Sequence, residues 1–330
     1  MHAVVLVGGF GTRLRPLTYT VPKPLLPVGD RPMLEHLLER LARGGVTDAV
    51  LALGFKPDPF FAAFPGDRCA GVNLTYAVED SPLDTAGAIG FAARRAGIDS
   101  TFVVANGDVM TSLDVSSLID FHRRSGGEAT ISLTPVEDPS QFGIVETEPN
   151  GLVKRFVEKP SPGETTSNFA SAGTYVMEPR SLERMPDGQK LSIERVVFPA
   201  IVSEGALFAM ATNDYWIDAG RPDTYLDANI HLVRSGLASP THESAMVGED
   251  VEVTDAVVGA RAQVGRGASL RRSVILPGST IGRDAIVSGS LVMGVVGDGA
   301  VVIDSVIGKD GVVEAGETIS GVKRPDDTHA

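Results

Sequence analysis

Beyond His231 the chain repeats one short unit, and few architectures can be built from it. Val258-Gly259, Val264-Gly265, Ile281-Gly282, Val296-Gly297 and Ile307-Gly308 each open a copy. An alanine stands four positions after the first four of these apolar residues, at Ala262, Ala268, Ala285 and Ala300. One apolar and one small inward position per six-residue unit describe the flat side of a β-helix coil. Such a coil buries its apolar face only by stacking on further copies. No histidine falls between His242 and His329, so the repeats lack the imidazole base an acyl-transferring coil would use. They predict an assembly or regulatory element. Apolar residues expected on the outer faces, such as Val292, Val295 and Val301, predict a homo-oligomer built partly through residues 243–322.

Gly236, Ser239 and Pro240 cluster ahead of the repeats. They set the expected domains at 1–236 and 237–330, the second ending in a short polar tail, 323–330. In the first, residues 3–7, 49–53 and 101–105 are apolar runs of strand length. Met33, Leu34, Leu37, Leu38 and Leu41 mark one helical face that Gly44-Gly45 ends, and 86–96 and 118–123 read as helices. This β-α-β order predicts an α/β fold with a doubly wound, Rossmann-like, mostly parallel sheet, which binds ligands beyond the carboxyl ends of its strands.

A net charge of −13 argues against nucleic acid and acidic membrane surfaces as partners, yet leaves room for a nucleotide held by a few local cations. Cys69 is the single cysteine, so no intramolecular disulfide forms. The chain opens on a strand-like run with no secretion signal, and no window approaches the roughly 20 apolar residues of a membrane span. The cytoplasm is the expected compartment.

The first strand runs into Gly8-Gly9-Phe10-Gly11-Thr12-Arg13-Leu14-Arg15-Pro16. Glycines at a strand end let backbone N–H groups approach a phosphate, and an arginine adds a bidentate cation. The segment is not a Walker A loop, because Gly-Lys-Ser/Thr is missing, and Leu14 occupies the third glycine of a dinucleotide fingerprint. A plain glycine-rich turn fits as well. Next comes Pro22-Lys23-Pro24-Leu25-Leu26-Pro27, where prolines stiffen the chain around Lys23 beyond the needs of a solvated lysine.

Residues 8–28 resemble the signature of the sugar-1-phosphate nucleotidyltransferases, or NDP-sugar pyrophosphorylases. The resemblance continues in family order through Pro82-Leu83-Asp84-Thr85-Ala86-Gly87, Asn106-Gly107-Asp108, Phe142-Gly143-Ile144, Val157-Glu158-Lys159-Pro160, Ser171-Ala172-Gly173 and Trp216-Ile217-Asp218-Ala219-Gly220. It implies that an NTP is attacked at its α-phosphorus by a sugar 1-phosphate, with Mg²⁺ as cofactor and a left-handed β-helix after the catalytic domain. It also implies a site. Leu6, Gly8, Gly9, Gly11, Thr12 and Arg13 hold the nucleotide with Glu79, Asp84 and Gly87. Lys23 stabilises the α-phosphate and Arg13 the β- and γ-phosphates. Asp108 and Asp218 hold Mg²⁺. Gly143, Glu158, Lys159 and Ser171 hold the sugar phosphate. A general base is not required, since a phosphate monoester with a second pKa of about 6 is already a nucleophile.

Two positions depart from the family pattern. Asp84 stands where glycine is common, and with Glu79 it offers carboxylate acceptors to the N1–H and amine of guanine, which favours GTP; capping of the following helix explains Asp84 equally well. Ser171 stands where asparagine is common and reaches less far, which leaves an unusual sugar or a sugar-like cyclitol phosphate open. Adenylyl or thymidylyl transfer to glucose 1-phosphate, and a non-catalytic regulatory subunit, are the alternatives to guanylyl transfer.

Overall fold

The computed structural model describes residues 1–54 and 57–326, which form two compact units. Met1–Gly9 and Leu34–Trp216 make the first; Phe10–Met33 and Ile217–Ala330 make the second.

The first unit is a ten-stranded sheet flanked by helices. Its strands are β1 (His2–Leu6), β2 (Asp48–Leu53), β3 (Arg68–Cys69), β4 (Val72–Val78), β5 (Phe102–Asn106), β6 (Ala129–Pro135), β7 (Gly143–Thr147), β8 (Val153–Glu158), β9 (Phe169–Met177) and β10 (Leu207–Ala211). The order β8-β7-β9-β5-β1-β2-β4-β3 places β1 centrally, with β6 branching from β9 and β10 pairing with β6. β5, β1, β2 and β4 are parallel neighbours, as the β-α-β pattern predicts. The half carrying β7, β8 and β9 is antiparallel and joins the parallel half in one Rossmann-like sheet. The local cause is the short link from Gly143–Thr147 to Val153–Glu158, too short for the dozen or so residues a parallel crossover needs. Helices α1 (Met33–Arg43), α2 (Asp58–Ala63), α3 (Asp84–Arg95), α4 (Val115–Ser125) and α5 (Phe198–Ser203) follow, and the central strands β1, β2 and β5 are apolar apart from the end residues His2, Asp48 and Asn106. One core joins Val4, Val50, Phe102, Val104, Ile131, Tyr175 and Phe198 to the small buried residues of α3, Ala86, Ala88 and Ala92. Glycine is needed in α3 as well. A Cβ on Gly87 would lie 2.3 Å from Gln189 O, and one on Gly90 would lie 2.9 Å from Met185 O.

The second unit contains α6 (Pro222–Arg234) and three parallel sheets of five short strands each, which form the left-handed β-helix. Met246 pairs with Gln263, Gln263 with Thr280, Thr280 with Val295, and Val295 with Val312, so each coil repeats the one before it. Val264, Ile281, Val296 and Val313 point inward with Ala262, Ala268, Ala285 and Ala300, and all are buried. The glycine after each inward residue has a stacking reason. A Cβ on Gly265 would lie 2.6 Å from Arg283 N, and one on Gly282 would lie 2.4 Å from Asp298 N in the next coil. Buried Ser273, Ser290 and Ser305 form a ladder in which each hydroxyl accepts an N–H from the coil above. The outer-face expectation is corrected in part. Val292 faces the interior and is fully buried, Val301 is half-buried, and Val295 is exposed. The polar tail is shorter than expected, because Lys323–Arg324 pairs with Val306–Ile307 as the last rung; residues 327–330 lie outside the described residues.

Candidate active site

The second unit gathers Arg13, Lys23 and Asp218. Gly11, in the left-handed region at φ 60°, starts the single turn Thr12–Leu14, whose Leu14 is buried and leaves Thr12 and Arg13 exposed. A side chain at Gly11 would also meet Thr18 Cγ2 at 2.9 Å. Pro22 fixes the entry to the turn Lys23–Leu25, and Lys23 is only 6% exposed. Its Nζ lies 3.4 Å from Asp218 Oδ1, and Arg13 Nη2 lies 3.7 Å from Asp218 Oδ2. A Cβ on Gly220 would lie 2.7 Å from Arg13 Nη2, Lys23 Nζ and Asp218 Oδ1 alike, so only glycine lets the three converge. α6 steadies the segment after Lys23, since the Tyr225 hydroxyl donates to Pro27 O and the Gly29 N–H donates to Asn229 Oδ1 at 2.9 Å. Two cations sharing one carboxylate leave this trio with one net positive charge, a setting suited to phosphate oxygens.

In the first unit the residues expected on the nucleotide side lie at or after the carboxyl ends of the parallel strands. Leu6 ends β1 opposite Asn106, the end of β5. The Gly107 N–H donates to Leu6 O at 2.9 Å, and a Cβ on Gly107 would lie 2.5 Å from Val7 Cγ1. This close approach brings half-buried Asp108 just past the strand end. A Cβ on Gly8 would lie 3.0 Å from Gly54 N. No neighbour lies within 4 Å of a Cβ on Gly9, so packing does not explain that glycine. The loop expected to meet the base is held by its own carboxylates: Glu79 Oε2 accepts from the Leu83 N–H at 3.0 Å, and Asp84 Oδ1 accepts from the Thr85 N–H at 2.8 Å. Burial raises the Glu79 carboxyl, and the Leu83 hydrogen bond lowers it by less. Asp84 is exposed at φ 60°, a conformation glycine adopts without strain, and it serves the start of α3. Gly87 is buried, and its N–H donates to Leu191 O, so packing of residues 189–191 accounts for it.

The residues expected on the sugar side sit on the antiparallel half. A Cβ on Gly143 would lie 2.5 Å from Phe156 Cζ and 2.9 Å from Glu158 Oε2, so the glycine makes room for Glu158. Glu158 ends β8 half-buried; burial raises its carboxyl, Glu194 raises it further, and Lys159 lowers it. Lys159 is exposed at φ 51°, and Pro160 follows it. A left-handed lysine before proline is strained, and such strain concentrates where function holds it. The β6–β9 pairing shifts register between Ser171 and Tyr175, and Gly173 within this bulge packs on Asn106. The half-buried Ser171 hydroxyl makes no hydrogen bond, although Tyr175 lies close. Trp216 Nε1 donates to Ala172 O at 2.9 Å, and its ring meets Phe142 edge-on at 5.5 Å.

The family model described as nucleotidyl transferase matches residues 2–235. The chain belongs to the nucleotidyl transferase family. Its curated relatives include the mannose-1-phosphate guanylyltransferase of Mycobacterium tuberculosis, 38% identical over 84% of this chain and 80% of that one. The mannose-1-phosphate guanyltransferase of Aspergillus fumigatus is 41% identical over 77% of this chain and 71% of that one. Among solved structures, HddC from Yersinia pseudotuberculosis complexed with GMP-PN superposes with TM-score 0.60 at 29% identity, covering 70% of this chain and 99% of that one. This nucleotidyl transferase therefore joins an NTP to a sugar 1-phosphate, forming an NDP-sugar. Its family generally uses a divalent metal.

Gly220 and Glu194 were not among the expected site residues. Gly220 lies in Trp216-Ile217-Asp218-Ala219-Gly220, but its steric role depends on Arg13 and Lys23, far away in sequence, meeting Asp218 beside it. Glu194 had no signal, lying in an ordinary-looking run, Leu191-Ser192-Ile193-Glu194-Arg195. Among the described residues no helix is long and apolar enough to cross a membrane.

Proposed function

We propose that this nucleotidyl transferase transfers GMP from GTP to a sugar 1-phosphate, with mannose 1-phosphate the first candidate, in the cytoplasm. The observation that carries the reading is the convergence of Arg13, buried Lys23 and Asp218 over Gly220. Lys23 is nearly buried and held by Asp218, which fixes its ammonium where a phosphate oxygen can meet it. In the reaction an oxygen of the sugar phosphate forms a bond to the α-phosphorus, and the bond to the β-phosphate oxygen breaks in line. Lys23 meets charge building on the α-phosphate, and Arg13 holds the β- and γ-phosphates that leave as pyrophosphate. Gly9 and Gly11, with Thr12 beside them, let the backbone approach those oxygens. Lys159 offsets the repulsion between two polyanions brought into bonding range, and Glu158 accepts from sugar hydroxyls.

Asp108 and Asp218 are assigned to Mg²⁺. Among the described residues no group of three or more His, Cys, Asp or Glu gathers for a metal, so the protein offers few ligands. That fits Mg²⁺, which keeps its waters and takes one or two carboxylates plus substrate phosphates. The cation would supply charge neutralisation on the phosphates. Guanine is supported by the guanylyltransferase relatives and the GMP-PN complex of the solved neighbour. Glu79 and Asp84 each spend one oxygen on the loop's own backbone and keep a second for the base. The catalytic segment 1–236 follows the family match to 2–235, and the β-helix serves assembly. Pyrophosphate release from four NTPs against several sugar 1-phosphates tests the reading. GTP with mannose 1-phosphate is expected to be fastest, and a preference for ATP or dTTP would overturn the guanylyl assignment.

A further inference from the structure

The segment 189–195 lies across the first turn of α3. Leu191 O accepts from the N–H groups of Ala86 at 2.8 Å and Gly87 at 3.1 Å, and the Leu191 N–H donates to Leu83 O at 2.9 Å. Glu194 fastens the same crossing through side chains. Its Oε2 accepts from the hydroxyls of Thr85 and Ser192, each at 2.8 Å, while Thr85 Oγ1 accepts from the Ile193 N–H at 2.8 Å. Glu194 sits in the wide turn Ile193–Val197, a π-helical geometry that costs backbone regularity and recurs at functional sites. That turn packs against α3 and also against β8, the strand that ends in Glu158. Phe198, next along the chain, stacks on Phe156 of β8 at 5.3 Å and on Tyr175 of β9 at 5.2 Å. The turn is therefore wedged between the helix that follows the base loop and the strand that carries the sugar-side carboxylate.

We infer that Glu194 is a positioning residue of the transfer reaction: it ties the start of α3 to the strand end bearing Glu158 and sets a second negative charge beside that carboxylate. The inference rests on the assignment of Glu158 to sugar hydroxyls. Burial already raises Glu158, the Glu194 charge acts in the same direction, and Lys159 and Arg195 oppose both. The buried Tyr175 hydroxyl lies in the field of the same two carboxylates and is raised first by its own burial. An ionised Glu158 accepts sugar hydroxyls best. Its raised pKa therefore means that sugar-phosphate affinity is lost, as pH falls, earlier than for an ordinary glutamate.

The test uses the full chain with GTP and mannose 1-phosphate, measuring pyrophosphate release from about pH 5 to about pH 8. Glu194→Gln keeps an oxygen for Thr85 and Ser192 and removes only the charge. It is expected to move the acid limb of the sugar-phosphate KM to lower pH by about half a unit, leaving the KM for GTP unchanged. The substrate's own titration is common to both enzymes and cancels. Glu194→Ala also cuts the tie and is expected to raise both KM values about tenfold, and Thr85→Val, which removes the hydroxyl Glu194 accepts from, should raise both as well. A ¹³C-carboxyl NMR titration of Glu158 in the wild type and Glu194→Gln reads the electrostatic half directly. Identical Glu158 titrations with superimposable pH profiles would overturn the inference. If Glu158 titrates lower in Glu194→Gln while Glu158→Gln leaves the sugar-phosphate KM unchanged, the sugar assignment of Glu158 fails and the coupling to Glu194 stands.

Discussion

Asp218 is shared by Lys23 and Arg13 at 3.4 and 3.7 Å, and the two pairs are unequal. Arg13 is 60% exposed on its side chain, so its pair is screened and weak, whereas Lys23 is 7% exposed and depends on its partner. Lys23→Ala is accordingly expected to lower kcat chiefly, because the contact strengthens as charge develops, and Lys159→Ala to raise the sugar-phosphate KM chiefly. Steady-state kinetics separate the two, and a Lys159→Ala enzyme with an unchanged KM would remove Lys159 from the sugar site. The left-handed backbone at Lys159 adds a second expectation. Lys159→Gly and Lys159→Ala both lack the cation, but the glycine variant should be more stable by about 1 kcal/mol because it alone escapes the strain. Equal melting temperatures would show that the strain is absent. Asp108→Asn should keep the wild-type melting curve and lose activity on the order of a thousandfold, with EDTA doing the same reversibly to the wild type. These residue types were legible in sequence, since a glycine-rich strand end and a proline-framed lysine each ask for a reason. Gly220 was not, because its reason is the meeting of three side chains.

At the scale of elements the glycines of the β-helix were visible as a period, but their cause is the spacing of stacked coils. Gly282→Ala places a methyl 2.4 Å from Asp298 N, where the obstacle is backbone and cannot swing aside. It is expected to destabilise by about 1–3 kcal/mol, measured by denaturant unfolding, while exposed Gly278, whose neighbours leave open space, marks a corner where packing sets no limit. A Gly282→Ala chain of wild-type stability would show that the coils are not stacked this closely. The parallel strands and helices α1, α3 and α4 fell within a few residues of expectation, because apolar periodicity reports one-sided burial. The antiparallel half was less legible: alternation along a strand does not record the direction of its neighbour. The same limit applies to Asp84, whose carboxylate the structure shows accepting from the next N–H.

For the whole molecule, the first sheet of the β-helix carries Met246, Val295 and Val312 outward, exposed by 59%, 40% and 46%. Covering this face with a second copy is the proposed route to an oligomer. Val295→Arg together with Val312→Arg should reduce the mass per particle in light scattering without lowering the melting temperature, and an unchanged mass would rule out this face. Removing the β-helix would be a poorer test. Arg272 and Arg234 bond Asp227 and Asp255 between α6 and the coils, and Thr20 lies against Met293, so truncation would strip support from the segment carrying Lys23. Period and apolar pattern were enough to predict an α/β portion and a β-helix, and the resemblance carried by the ordered segments implied the class of reaction, because each is written in residues adjacent along the chain. Folding alone settled which glycines are steric and which outer valines are buried, and it brought Glu194 close enough to raise the Glu158 carboxyl. Those properties arise between residues far apart in sequence, where no local period carries the information.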